Sequence, residues 1–304
     1  MRRKVVIIGA GHVGSHCAYA LAHSGICEEI VLVDKDREKA VAQALDVADS
    51  VSFLDRTVQV RAGDYEDAAD AAVTVISIGE PRQPGQTRLD LLERSAELLD
   101  ELLQSMQGIT LSGIVITITN PADIVADYVR KGLGMDRSRV FGTGTLLDTA
   151  RLLRNLSEAT GVAPKNIQAF SLGEHGDSSM IPFSCVTIGG RSVLHYTIDK
   201  EKILQETRQS GMTIIEGKKS TEFGIGRALT EMVAAVLRDE KKVMPASVLL
   251  QGEYGQNDVH CGVPCCIGAK GIEQIIELPL SEDEQQQLQA SCDVIRQHIA
   301  KVAK

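Results

Sequence analysis

The run Val5-Val6-Ile7-Ile8-Gly9-Ala10-Gly11-His12-Val13-Gly14 leaves this chain few folds to choose from. G-x-G-x-x-G is a weak signal alone, but here it follows an apolar strand, opens a segment of helical period, and is followed twenty residues after Gly14 by Asp34 at the end of the next apolar stretch. Gly9 permits the tight turn, Gly11 lets a pyrophosphate approach the backbone, and Gly14 lets the helix pack closely. The helix N-terminus adds partial positive charge. Asp34 can accept hydrogen bonds from both adenosine ribose hydroxyls and would repel a 2′-phosphate, which favours NAD over NADP, with Lys35 and Arg37 pulling the other way. It also reads as a turn or helix-cap residue. His12 and Val13 fall within the cofactor loop, where the side chains of His12 and His16 read as packing or surface groups rather than ligands.

The same rhythm continues. Apolar runs at residues 5–8, 30–33, 58–61, 73–78 and 114–118 alternate with helical periods such as 13–22 and 38–47. Strands so uniformly apolar are covered on both faces, which predicts an α/β, doubly wound parallel-sheet (Rossmann) domain over residues 1–142. Gly79-Glu80-Pro81-Arg82-Gln83-Pro84-Gly85-Gln86-Thr87-Arg88 interrupts this pattern and reads as a substrate lid near residues 79–90, backed by a helical run at 89–103. Gly79 joins the expected cofactor-binding set. Residues 143–304 read as an α+β catalytic and substrate domain: a helix at 146–160, mixed strands at 167–193, and long polar helices at 199–218 and 221–239. With no internal repeat and no linker, the two halves are expected to share a broad, fixed interface.

A chain of 304 residues with a formal charge of -9, no Lys/Arg block and no membrane-length apolar run points to a small-molecule partner, with neither nucleic acid nor membrane expected. Seven Cys, an odd number, without a secretory segment ahead of Gly9, point to a reducing cytoplasm rather than a disulfide framework. His260-Cys261-Gly262-Val263-Pro264-Cys265-Cys266 lacks the usual zinc spacing and reads as an apolar strand of buried thiols, bent at Gly262 and Pro264; no metal site is expected.

Chemistry concentrates in Asp148-Thr149-Ala150-Arg151 and Gly173-Glu174-His175-Gly176-Asp177-Ser178. A histidine titrates near working pH, and a neighbouring carboxylate can fix its tautomer and raise its proton affinity. Asp148 and Arg151 leave the same face of a helix, so one can hold the base while the other grips an anion. Singly, these residues also read as a satisfied core histidine, a helix-start acid and a surface charge. With Gly144-Thr145-Leu146-Leu147 and Thr119-Asn120-Pro121, the motifs resemble the NAD-dependent lactate and malate dehydrogenases in order and spacing over nearly the whole chain. The resemblance implies that His175 exchanges the hydroxyl proton, Asp148 supports the imidazolium, Arg88 polarises the carbonyl and Arg151 binds the substrate carboxylate. It also implies that Asn120 hydrogen-bonds the substrate oxygen beside the cofactor, and it puts Thr221 in the pocket wall.

Substrate signals disagree. Lactate-type members of the family carry Gln six residues before the polarising arginine and malate-type members carry Arg; this chain has Arg82, which favours a 2-oxo acid with a second carboxylate, oxaloacetate, slightly over pyruvate. The segments around Asp148, His175 and Ser220-Thr221-Glu222-Phe223-Gly224-Ile225 resemble lactate enzymes, and Glu80 could neutralise Arg82, which keeps lactate dehydrogenase or a broad 2-hydroxy acid dehydrogenase as the alternative. Leu153 and Gln168 stand where activated bacterial members carry Arg and His, so fructose 1,6-bisphosphate is not expected to activate, nearby Arg154 notwithstanding. A homodimer or homotetramer is implied. Two other classes fit the sequence less well. An NAD-dependent glycosidase would need a metal-binding Cys/His pair, and a non-catalytic NADH-sensing module would lack the His175 and Asp148 shuttle that this chain has.

Overall fold

A computed structural model of the chain describes residues 3–79 and 88–302. Its nucleotide-binding half runs β1 (Lys4–Ile8), α1 (His12–Ser24), β2 (Glu29–Val33), α2 (Arg37–Val51), β3 (Gln59–Ala62), β4 (Val73–Ile76), α3 (Arg88–Ser105), β5 (Ile114–Thr117), α4 (Ala122–Leu133) and β6 (Val140–Gly142). Then follow α5 (Leu146–Thr160), β7 (Ile167–Gln168), β8 (Thr187–Ile188), β9 (Arg191–Ser192), α6 (Lys200–Lys218), α7 (Phe223–Leu237), β10 (Lys242–Gln251), β11 (Asn257–Gly268), β12 (Gly271–Ile275) and α8 (Glu282–Val302).

Strand burial explains the sheet. Successive side chains point to opposite faces of a strand. Val5 and Ile7 of β1 enter one core while Val6 and Ile8 enter another, and Ile30 and Leu32 of β2 part company with Val31 and Val33 in the same way. One core is closed by α1, α2 and α7, the other by α3 and α4, so the central strands need apolar residues on both sides. The parallel order is β3-β2-β1-β4-β5-β6, which is the doubly wound arrangement expected. A third core packs Leu152 and Leu156 of α5 against Ile188 and Ile203.

The structure corrects the sequence reading in three places. Among the described residues the main sheet has nine strands, because β10, β11 and β12 extend it antiparallel from β6, with Ser247 opposite Gly142. β10 and β11 pair residue for residue through Gly262 and Pro264; the two prolines, Pro245 and Pro264, face each other and interrupt no register. The helix expected to be polar at residues 221–239 is α7, and it is buried through Ile225, Leu229, Met232 and Val233 against α1. The mixed strands at 167–193 reduce to β7, β8 and β9, each two residues long. Cys261 and Cys265 are buried, while Cys266 is partly exposed with its thiol near the Lys241 carbonyl. Among the described residues, no helix is long and apolar enough to cross a membrane.

Candidate active site

The carboxyl ends of β1, β4, β5 and β6 open on one cavity of about 700 Å³ among the described residues. A crevice there is where a doubly wound sheet binds its ligand. Of the residues singled out from the sequence, Gly11, His12, Val13, Gly79, Asn120, Asp148, Arg151, His175 and Thr221 line it. Gly9 and Gly14 stand just behind. Arg82 and Glu80 lie outside the described residues, as does the side chain of Arg88, whose backbone starts α3.

The glycine loop has the shape a dinucleotide needs. Gly9 takes φ +106°, and a Cβ there would lie 2.1 Å from the Ser77 carbonyl oxygen; a Cβ on Gly14 would lie 1.9 Å from the carbonyl oxygen of Gly9. Both positions exclude any side chain. Gly11, the N-cap of α1, differs: a Cβ there meets nothing within 4 Å, because it would project into the open cradle. Asp34, following β2, accepts the Ala10 amide at 2.8 Å, the Asp36 amide at 3.0 Å and Lys39 Nζ at 2.9 Å. Burial alone would raise its pKa, yet these donors hold it below the ordinary aspartate range, so it is ionised as a ribose acceptor must be. His16 is a packing residue, its ring edge-on to Phe223.

At the other end of the cavity, α5 presents Asp148 in its first turn and Arg151 one turn later. Asp148 Oδ2 lies 2.6 Å from His175 Nδ1, and Asp148 Oδ1 lies 2.8 Å from Arg151 Nη1. The nearby negative charge of Asp148 raises the His175 pKa against the opposing effect of burial. Burial would likewise push Asp148 up, but His175 and Arg151 together bring it down. The pair is therefore doubly charged over a window from below the ordinary carboxylate value to above the ordinary imidazole value. An ionised carboxylate only accepts, so Nδ1 donates and Nε2 is the ring atom left for the cavity.

The loop carrying His175 is held from three elements. Gly173 exchanges two backbone hydrogen bonds with Gly262 of β11, each 2.9 Å; Ser291 of α8 accepts the Glu174 amide at 2.8 Å; and Asp123 of α4 accepts the His175 amide at 2.9 Å. Sequence reasoning missed Asp123, Ser291 and Ser247, whose hydroxyl donates to Asp123 at 2.6 Å. It also missed the inner face of α6, where Arg208, Gly211, Met212 and Ile215 line the cavity at helical spacing. Arg208 is tied to the Ser179 carbonyl, with Nε donating at 2.9 Å. Gly211 faces Arg151 so closely that a Cβ would sit 3.3 Å from Nη2. Arg154 bonds Asn155 and Ser210, each at 3.2 Å, while Gln168 is exposed on β7. Among the described residues, no group of three or more His, Cys, Asp or Glu side chains could hold a metal ion.

Residues 3–142 match the lactate/malate dehydrogenase NAD binding domain, and residues 145–304 match the lactate/malate dehydrogenase alpha/beta C-terminal domain. L-lactate dehydrogenase 3 of Bacillus cereus is 39% identical over 309 aligned positions, covering 99% of this chain and 98% of that protein. Among solved structures, the minor L-lactate dehydrogenase of Enterococcus mundtii in its ligands-bound form is similar at TM-score 0.96 and 34% identity, covering 99% of this chain and 98% of the other. The malate dehydrogenase of Cryptosporidium parvum is similar at TM-score 0.93 and 31% identity, covering 99% of each chain.

Because a side chain on Gly11 would enter the cradle and meet no other atom, Gly11→Val is expected to weaken NADH binding about tenfold or more while leaving the thermal midpoint of the ligand-free protein nearly unchanged. Fluorescence titration and a melting curve on the same sample check both halves of that expectation.

Proposed function

Because this chain belongs to the lactate/malate dehydrogenase family, and is thus an NAD-dependent 2-hydroxy acid dehydrogenase, we propose that its substrate pair is pyruvate and L-lactate. The observation carrying the reading is the chain Arg151–Asp148–His175, with contacts of 2.8 and 2.6 Å, opening on the cavity that Gly11 borders. NAD, when bound, supplies the hydride acceptor or donor. His175 Nε2 takes the hydroxyl proton on oxidation and returns it on reduction, with Asp148 stabilising the imidazolium. Arg151 holds the substrate carboxylate through the nitrogens that Asp148 leaves free, in the space Gly211 opens beside it. Asn120 and Arg88 act on the reacting oxygen, and Thr221 closes the wall.

The lactate-named relatives support pyruvate over oxaloacetate, as do the apolar side chains of Met212, Ile215 and Ile225 in the cavity wall. Arg82 favours a second reading, malate and oxaloacetate, since a dicarboxylate under the lid would need a cation and a methyl group would leave that cation unpaired. Initial rates of NADH oxidation with pyruvate, oxaloacetate and branched 2-oxo acids, repeated for Arg82→Gln, separate the two. The first reading expects pyruvate to exceed oxaloacetate in kcat/KM in the wild type. An oxaloacetate preference of about tenfold or more that Arg82→Gln abolishes would instead establish the second. Fructose 1,6-bisphosphate is expected to leave these rates unchanged, and a severalfold rise at micromolar effector would contradict that.

We also propose a homo-oligomer. Tyr19, Leu45, Phe53 and Phe223 are exposed by 48, 61, 97 and 73% on α1, on α2, just beyond α2, and on α7, and α1 packs on both of the other helices. Exposed apolar side chains of this size on neighbouring helices fit a second copy of the chain. Light scattering after size-exclusion chromatography is expected to give at least a dimer for the wild type and a monomer for Leu45→Glu/Phe53→Glu. A monomeric wild type at micromolar concentration would contradict it.

A further inference from the structure

The loop bearing His175 meets a second carboxylate that the reaction as described does not use. Asp123 sits in the first turn of α4 and is 3% exposed. Its Oδ2 accepts the backbone N–H of His175 at 2.9 Å, and its Oδ1 accepts the Ser247 hydroxyl at 2.6 Å. Ser247 lies on β10 opposite Gly142 of β6, so one side chain ties α4, the antiparallel extension of the sheet and the His175 loop together.

We propose that Asp123 is a positioning residue for the reaction, holding the His175 backbone from α4 while Asp148 holds the ring from α5, and supplying a second negative charge to the imidazolium. The proposal rests on the reading of His175 as the acid-base group. Hydrogen bonding alone does not require an acid here: an asparagine could accept from the His175 amide and donate to Ser247. A carboxylate is the costlier choice, because burial pushes the Asp123 pKa up to about 6 against the hydrogen bonds from Ser247 and His175. Its position at a helix N-terminus favours the charged form. What the charge adds is a higher proton affinity at His175, where Asp123 acts in the same direction as the larger effect of Asp148.

Among the described residues, the charged groups beside His175 include Asp148 and Arg151 from α5, Asp123 from α4, and Glu174 and Asp177 from its own loop, with Arg208 of α6 lining the same cavity; His298 of α8 lies 3.7 Å from Glu174. Arg151 opposes the rise and Asp148 dominates it. The sign follows: protonated His175 is the acid in 2-oxo acid reduction, so reduction declines as pH rises through its pKa, and removing the Asp123 charge moves that decline to lower pH.

The test compares wild type, Asp123→Asn, Asp123→Ala and Ser247→Ala by two readouts. One is NMR titration of the His175 ring in histidine-labelled protein, assigned with His175→Gln; the other is the pH profile of kcat/KM for pyruvate and oxaloacetate reduction. Asp123→Asn is expected to titrate His175 at lower pH and to shift the profile the same way, while keeping most of the low-pH kcat. Asp123→Ala, which strands the His175 amide, is expected to lose about 10–100-fold in kcat at every pH. Ser247→Ala keeps the charge and is expected to keep the His175 titration. An unchanged ring titration in Asp123→Asn overturns the proposal, and so does an Asp123→Ala enzyme as active as wild type. If Asp123→Ala does not fold, the Asp123→Asn titration still decides. Undiminished reduction by His175→Gln would overturn the acid-base reading itself, and the ring titration distinguishes that failure because it needs no turnover.

Discussion

One carboxylate organises the reactive end of the cavity. Asp148 divides its oxygens between His175 and Arg151, at 2.6 and 2.8 Å, and so fixes a ring from a loop against a guanidinium from its own helix. The arrangement works because all three are largely shielded from water: in a drier environment the attraction strengthens, and an unpaired member would be costly. Asp148 lies in the first turn of α5, where the helix dipole also favours its negative charge.

That cluster faces the glycine cradle because the sheet is continuous. The parallel strands deliver their carboxyl ends to the cavity, and β10 continues the sheet beyond β6, bringing Ser247 and Gly262 beneath the loop that carries His175. Small residues make this approach possible. A Cβ on Gly262 would lie 2.8 Å from the Gly173 carbonyl oxygen, and one on Gly144 would lie 2.6 Å from the Ser247 amide. In the proposed reaction the backbone registers of β6, β10 and β11 therefore set the height of the proton shuttle above the nicotinamide pocket.

The nucleotide-binding half was legible because its signals are local. Apolar strands, the Gly9 to Gly14 loop and Asp34 are read within short windows, and their boundaries moved by only a residue or two in the structure. The antiparallel extension was not legible, since β10 pairs with β6 about a hundred residues upstream and no local period reveals that partner. α7 was misread as polar because charged residues flank it, Glu222 before its first turn and Arg238 and Asp239 after its last, whereas its interior is apolar and Gly226 lies close against His16 and Ala20 of α1. Asp148, Arg151 and His175 were visible as motifs. Asp123 was not, for an acid in the first turn after Pro121 reads as an ordinary helix start, and only the fold brings it to the His175 amide. Arg208 and Gly211 of α6 were hidden for the same reason.

The central claim is that His175 moves the proton while the glycine cradle independently binds the nucleotide. Steady-state NADH oxidation by pyruvate and oxaloacetate, measured for wild type and His175→Gln alongside NADH binding by fluorescence, tests it most directly. With His175 as the proton shuttle, kcat/KM falls by about 10²–10⁴-fold in His175→Gln while NADH affinity is unchanged. Undiminished turnover by His175→Gln with either 2-oxo acid would contradict it.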